Sequence, residues 1–214
     1  IIMSNYIFAA SAEKSQPDGY DLLTATDEML FSQVQREDMH AFEMIVSRYK
    51  TRLYNCVYRM VNNAENAEDL VQETFLRVYK NRHNYQATSN FSTWTYTIAL
   101  NLARSELRKR KRRQFFSLNS STYQDSNTEG FDLPDPSSGP FEHLEQSELG
   151  RTIQKAIDLL PIKYRTVIVL RDVQELSYEQ ISHILDCPTG TVKSRVNRAR
   201  LRLQALLRQW HIEV

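Results

Sequence analysis

The chain has 214 residues, of which 41% are hydrophobic and 25% are charged. It is therefore long and apolar enough to form one large domain or two small ones with packed cores, and a wholly disordered chain is excluded. The formal net charge of +1 conceals blocks of opposite sign. Residues 101–113 hold seven Lys or Arg and one acidic residue, whereas residues 114–150 hold seven acidic residues and no Lys or Arg. This segregation predicts different partners for the two segments.

The N-terminal residues and the cysteines indicate the cellular compartment of the chain. Residues 1–26 are polar and weakly patterned, and they lack the basic front and long apolar core of a signal peptide. No run approaches the roughly 20 apolar residues that span a bilayer, so we expect no membrane insertion. Cys56 and Cys187 lack metal-ligand spacing, which favours two buried thiols, no metal and a reducing, cytoplasmic setting.

Apolar residues recur at spacings of three and four from Asp27 onward, which predicts helices almost without interruption and no convincing strand. In chain order, the pattern predicts a helical start at Asp27, a long helix from Phe42 to Met60, a break at Asn62 and Asn63, and a helix over 64–82. A polar loop over 84–90 follows, then a helix from Phe91 into the basic run 108–113, and later a helix starting near Pro161. Between 114 and 140 the composition shifts to Ser, Asn, Asp, Pro and Gly, which is typical of a flexible linker.

These patterns predict an all-α protein with two small helical domains on a flexible acidic linker. The predicted ranges are an N-terminal extension over 1–26, a first domain over 27–113, the linker over 114–140 and a second domain over 141–214.

The second domain contains the pattern of a helix-turn-helix. Ser177 and Gln180 have the S-x-x-Q spacing of a capping box, which predicts a helix start. Asp186-Cys187-Pro188 ends that helix, and a second helix should begin at about Pro188. At 100° per residue the second helix separates two faces: an apolar one of Val192, Val196, Ala199 and Leu203, and a polar one of Lys193, Ser194, Asn197 and Arg198, with Arg195, Arg200 and Arg202 on its flanks.

Such a polar face can donate hydrogen bonds to base edges and phosphates in a major groove. A basic face taken alone is usually just solvated. Here the capping, the turn, the periodicity and the charge agree, and together they favour DNA binding.

Residues 90–113, NFSTWTYTIALNLARSELRKRKRR, interleave aromatic, amide and basic side chains. This mixture suits single-stranded or melted nucleic acid, because bases stack on rings while Arg and Lys hold the backbone. Trp94 and Tyr96 lie at helical spacing, where such rings are more often core residues than stacking platforms.

Catalytic patterns are missing from the sequence. The five histidines are scattered, and the five glycines form no phosphate-binding loop. We therefore expect no enzymatic activity and no cofactor.

Three segments resemble, in order and spacing, the bacterial RNA polymerase sigma factors of the extracytoplasmic-function (ECF) class. They are EDLVQETFLRVYKN, FSTWTYTIALNLARSEL and LPIKYRTVIVLRDVQELSYEQISHILDCPTGTVKSRVNRARLRL, and the resemblance covers residues 28–113 and 141–208. It implies a region 2 domain that binds core RNA polymerase and the −10 element, and a region 4 domain that binds the −35 element of promoter DNA. It also implies contacts with the polymerase β′ clamp coiled coil and β flap, and an inhibitory anti-sigma factor.

The resemblance assigns three sets of candidate residues. The set for the −35 major groove is Thr191, Lys193, Ser194, Arg195, Asn197 and Arg198. The set for single-stranded −10 DNA is Tyr85, Ser89, Asn90, Phe91, Trp94, Asn101, Arg104, Ser105 and Arg108. The set for the polymerase is Asp69, Gln72, Glu73, Leu76, Arg77 and Lys80.

Two other interpretations stay open from the residues alone. A self-sufficient helix-turn-helix regulator would bind an operator as a dimer without polymerase. A helical adaptor would use its basic faces to bind acidic proteins and would show no promoter-dependent activity.

Overall fold

The computed structural model describes residues 25–86, 90–119 and 148–210, and for residues 114–119 it describes the backbone alone. Every regular element in these ranges is helical. The elements are α1 (Asp27–Gln35), α2 (Met39–Val61), α3 (Ala64–Lys80), a 3-10 turn (Arg82–Asn84), α4 (Phe91–Asn119), α5 (Glu148–Leu159), α6 (Ile162–Ile168), a π turn (Val169–Val173), α7 (Tyr178–Leu185) and α8 (Thr189–Gln209). None of these helices combines the length and the apolarity that a membrane crossing requires.

The first half, α1 to α4, closely follows the sequence pattern. Polar caps separate its helices: Asp38 accepts hydrogen bonds from the His40 and Ala41 amides, and Asn63 accepts one from the Asn66 amide. The break between α1 and α2 was not predicted. It occurs at Glu37, whose φ of 71° lies in the left-handed region, where a helix cannot continue.

Helix α4 continues through Asn119, into the segment predicted to be linker. The rest of that segment, and the N-terminal extension up to residue 24, lie outside the described residues.

The second half contains the predicted helix-turn-helix. Ser177 and Gln180 form both hydrogen bonds of the capping box, at 3.1 and 2.8 Å, and so start α7. Asp186 ends α7 in the left-handed conformation, with φ 48°. The carbonyl of Pro188 then accepts the Thr191 and Val192 amides, which starts α8. The predicted helix starts near Pro161, Ser177 and Pro188 are confirmed to within a residue or two, whereas the predicted start of this half at residue 141 lies outside the described residues.

The two halves pack against each other, an arrangement that the sequence did not predict. One cluster of buried residues runs through both of them, from Leu30 and Phe31 of α1 to Val192 and Val196 of α8. The C-terminal end of α2 and the first half of α4 therefore lie against the helices of the second half, and this contact determines which candidate residues are accessible.

Candidate nucleic-acid interface

The recognition helix α8 sorts its side chains as the sequence predicts. Val192, Val196 and Ala199 are essentially without exposure and pack inward. The outer face is exposed, and it carries Lys193, Ser194, Asn197 and Arg198. The Ser194 hydroxyl donates to the Thr191 carbonyl at 3.0 Å, which leaves the hydroxyl oxygen free to accept. This face presents cationic, amide and hydroxyl groups on a rigid rod of the size that a major groove admits.

The arginines at the flanks of α8 are less available than their spacing indicates. Arg200 is held by the Asp172 carboxylate, with Nε to Oδ2 at 3.1 Å and a second, shorter contact from Nη2. The Arg202 guanidinium lies 4.7 Å from the centre of the Tyr164 ring. Arg195 is half-buried, with Nη1 3.8 Å from the Cys187 sulfur. Hydrogen bonds and ring contacts within the protein therefore hold all three side chains.

Cys187 itself is partly exposed, so the expectation of two buried thiols is wrong for this residue and confirmed for Cys56. The turn Asp186-Cys187-Pro188 that precedes α8 lies at the surface, so the side chains of the turn are at least partly exposed to solvent. Leu201, on the outer side of α8, is 58% exposed and is covered by no described residue.

The candidate residues on α4 divide into an accessible group and a buried group. Asn101, Ser105 and Arg108 follow one another along one face: the Ser105 hydroxyl donates to the Asn101 carbonyl at 2.8 Å, and Arg108 Nη2 donates to Ser105 Oγ at 3.0 Å. Arg104 is half-buried. Burial lowers the pKa of Arg104, and the neighbouring charges of Arg108 and Arg195 lower it further.

The aromatic candidates form a cluster around Phe31 of α1. Tyr85 and Phe91 are buried, and with Phe31 and the half-buried Trp94 they make ring contacts with centroids 4.7 to 6.2 Å apart. Burial, followed by the charges of Glu28 and Asp27, raises the pKa of Tyr85 to about 12. The rings of Tyr85 and Phe91 are thus core groups, and of these four rings only that of Trp94 reaches the surface.

The two remaining residues of this set, Ser89 and Asn90, belong to the loop, and Tyr96, outside the set, was left open between stacking and core. Asn90 is exposed, and its Oδ1 accepts from the Ser92 amide at 3.0 Å, so the side chain caps α4. Ser89 lies outside the described residues. Tyr96 is buried, and its hydroxyl donates to Gln174 Oε1 of the second half at 2.7 Å.

The polar face of α3 is exposed along its length. Its inner side is packed through Val71, Phe75 and Val78, which are at most 5% exposed. The outer side carries all six candidates, with Glu73 half-buried and the others exposed: Asp69, Gln72, Glu73, Leu76, Arg77 and Lys80. Glu73 and Arg77 form an ion pair at 2.7 Å, and Leu76 is an exposed apolar group among these charges. An apolar residue in a charged surround is typical of a protein interface.

Comparison with known proteins gives matches in both halves. Residues 45–113 match the Sigma-70 region 2 family, and residues 150–203 match the Sigma-70 region 4 family. The ECF RNA polymerase sigma factor SigW of Bacillus subtilis is 41% identical over 180 residues, covering 82% of this chain and 94% of the relative. The RNA polymerase sigma-H factor of Pseudomonas aeruginosa is 36% identical over 188 residues, covering 86% and 96%.

Two solved structures are similar over most of the chain. The sigma factor RpoE of Bartonella quintana, solved with the anti-sigma factor NepR, superposes with a TM-score of 0.61 at 29% identity, covering 78% of this chain and 96% of RpoE. CnrH, solved with the cytosolic domain of CnrY, shares the fold with a TM-score of 0.64 at 22% identity, covering 86% and 97%.

Proposed function

This chain belongs to the ECF class of bacterial RNA polymerase sigma factors, which makes it an alternative sigma factor for promoter-specific transcription initiation, and we propose how its surfaces divide that task. In this proposal the chain catalyses no reaction itself. It binds core RNA polymerase, brings it to promoters and helps to open the duplex.

The outer face of α8 binds the −35 element as duplex in this proposal. The observation that carries it is the exposure of Lys193, Ser194, Asn197 and Arg198 opposite a fully packed apolar face. Thr191 and Arg195 lie beside this face and complete the set. Basic side chains supply affinity through phosphates, and a few base contacts supply specificity.

The accessible face of α4 receives single-stranded DNA of the −10 element. Asn101, Ser105 and Arg108 offer an amide, a hydroxyl and a guanidinium in one row, which suits an unstacked base and its phosphate. Trp94 provides the ring at the surface, whereas Tyr85 and Phe91 act indirectly, as core groups that pack against Trp94.

The exposed face of α3 binds the β′ clamp coiled coil of core polymerase, with Leu76 as the apolar contact and the charged residues around it as the polar rim. The β flap binds the second half. An anti-sigma factor is a further proposed partner, supported by the similarity to RpoE of Bartonella quintana, which was solved with one.

The test is promoter-directed transcription by purified bacterial core polymerase, with and without this chain, on a library of random promoters. We expect enriched templates to share two motifs at a fixed spacing. Tight, sequence-specific binding of duplex DNA without polymerase, combined with no enrichment, would instead identify a self-sufficient regulator. An absence of any DNA-dependent effect would favour the helical adaptor.

A further inference from the structure

One face of α1 carries three side chains that contact the candidate −10 residues. Glu28, Phe31 and Gln35 are three and four positions apart, a spacing that places them in one row along a helix. Glu28 and Gln35 are half-buried, and Phe31 is fully buried. The row extends for about 10 Å along the helix axis, at 1.5 Å per residue. It precedes residues 45–113, which match the Sigma-70 region 2 family, so that match assigns it no role.

Gln35 holds the chain at Tyr85, where the candidate −10 residues begin. Its Nε2 group donates to the Arg82 carbonyl at 2.8 Å and to the Tyr85 carbonyl at 3.0 Å. A side-chain amide nitrogen carries two hydrogens, so Gln35 uses its full donor capacity on these two oxygens. The Arg82 carbonyl also accepts from the Tyr85 amide at 3.3 Å, which closes the 3-10 turn. Gln35 therefore fixes this turn against the end of α1.

Glu28, two turns earlier on α1, holds the chain at Phe91, where α4 begins. Its Oε1 accepts from the Phe91 amide at 3.3 Å. The first amides of a helix have no partner within the helix, and a carboxylate there also faces the positive end of the helix dipole. After burial, the charge of Glu28 is the next cause of the raised pKa of Tyr85, so this carboxylate lies close to both held residues.

Phe31 lies between these two polar contacts and packs on the rings of the same segment. Its ring centroid is 5.1 Å from that of Tyr85, 4.7 Å from that of Phe91 and 5.6 Å from that of Trp94. These are the distances of favourable aromatic pairs. One face of α1 thus contacts the backbone at Tyr85, the backbone at Phe91, and the one ring of this cluster that reaches the surface.

Capture of an unstacked base requires groups that are already in place. Taking a base out of the stack costs free energy, which pocket contacts must offset. Such groups have to be held to within about 0.5 Å by the side chains behind them. Asn90 directly precedes α4, and its carbonyl accepts from the Trp94 amide at 3.2 Å in the first turn. The positions of both residues therefore depend on how the start of α4 is held, and α1 supplies contacts that hold it.

We propose that Glu28 and Gln35 are positioning residues for recognition of the −10 element. This inference rests on the proposed function. Each residue acts through the backbone group that it binds and not by touching DNA. Together they hold the chain at the start of α4, so that Trp94 meets the unstacked base at a fixed place.

The test uses full-length variants with core polymerase, on promoters recovered from the random library. Initiation on an intact promoter is divided by initiation on one with a single base change in the −10 element, which gives a −10 ratio. A −35 ratio is obtained in the same way. A variant that merely folds less well lowers initiation on every promoter alike and leaves both ratios unchanged, so the ratios separate a positioning role from a structural one.

Gln35→Met removes the donor and keeps the length of the side chain, and Glu28→Met removes the acceptor. Each should lower the −10 ratio at least about fivefold, because a displaced base contact no longer discriminates. The −35 ratio should stay unchanged, since α8 lies in the second half of the chain. Glu28→Gln keeps an oxygen that can accept from the Phe91 amide, and it should retain the −10 ratio of the parent.

The matched control is Gln33→Met on the same helix. The Gln33 side chain is also half-buried and forms no hydrogen bond with any described residue, so both ratios should be those of the parent. An unchanged −10 ratio in Gln35→Met or in Glu28→Met overturns the role of that residue. An equal fall in Gln33→Met, or an equal fall of the −35 ratio, overturns the inference as a whole. If the parent chain recovers no promoter from the library, the proposed function itself fails, and this is known before any variant is made.

Discussion

Removing two cations from the outer face of α8 should abolish discrimination at the −35 element. Lys193 and Arg198 are exposed, and among the described residues neither is held in a salt bridge, in contrast to Arg200, which Asp172 holds. Each good base contact discriminates by ~1–3 kcal/mol, so Lys193→Ala with Arg198→Ala should remove ~2–6 kcal/mol. At 1.4 kcal/mol per tenfold, this is a loss of roughly 30-fold or more.

The assay compares initiation by reconstituted holoenzyme on a promoter with its −35 element intact and on one with that element scrambled. For the parent chain the ratio should be large, and for the double variant it should approach one, with binding to core polymerase unchanged. Lys50→Ala with Lys155→Ala removes the same charge from exposed positions elsewhere and should leave the ratio intact. A double variant that still distinguishes the two promoters would refute the assignment of α8.

Three further outcomes follow from the structure. Leu76→Asp should weaken binding to core polymerase in a pull-down titration. Met39→Asp is the control, because the Met39 side chain is also 38% exposed, and it should leave binding unchanged. Equal effects of the two substitutions would refute the α3 interface. Ser177→Ala should lower the free energy of unfolding by ~1 kcal/mol in urea titrations through loss of the capping box, with Ser47→Ala, at an exposed helical position, as the control. Burial raises the pKa of the Cys56 thiol from 9.0 to about 12, so the thiol of the unfolded chain loses its proton at lower pH than that of the folded chain. The free energy of unfolding should therefore fall as the pH rises from about 9 toward 12. A urea midpoint that stays flat over that window, or that falls as steeply in Cys56→Ala, would contradict this.

Local sequence patterns determined the parts of the site that lie within single helices. The two faces of α8 follow from a period of 3.6 residues, and the start of α7 follows from two residues three positions apart, Ser177 and Gln180. The exposed face of α3 follows from the same periodicity. Family resemblance then added roles that periodicity alone does not carry.

Sequence reasoning was weaker where a residue's environment depends on other helices. Trp94 and Tyr96 were compatible both with base stacking and with the core, and the structure buries Tyr96. Tyr85 and Phe91 were candidates for the −10 element, and contacts with Phe31 of α1 place both rings in the core. Likewise Arg200 has the spacing of a phosphate contact, but Asp172, on the π turn, occupies its guanidinium. A charge pattern along one helix cannot show which carboxylate approaches from another.

The packing of the two halves is what only the tertiary structure decided. Arg59 and Gln154 are 95 positions apart, and from the sequence alone each is an ordinary polar residue on a predicted helix. Their burial becomes visible only when α2 and α5 are brought together. Helix periodicity reports which side of a helix is apolar, because it is a property of neighbouring residues. It does not report which distant helix covers that side, because that depends on the combined shape, charge and hydrogen bonding of two surfaces.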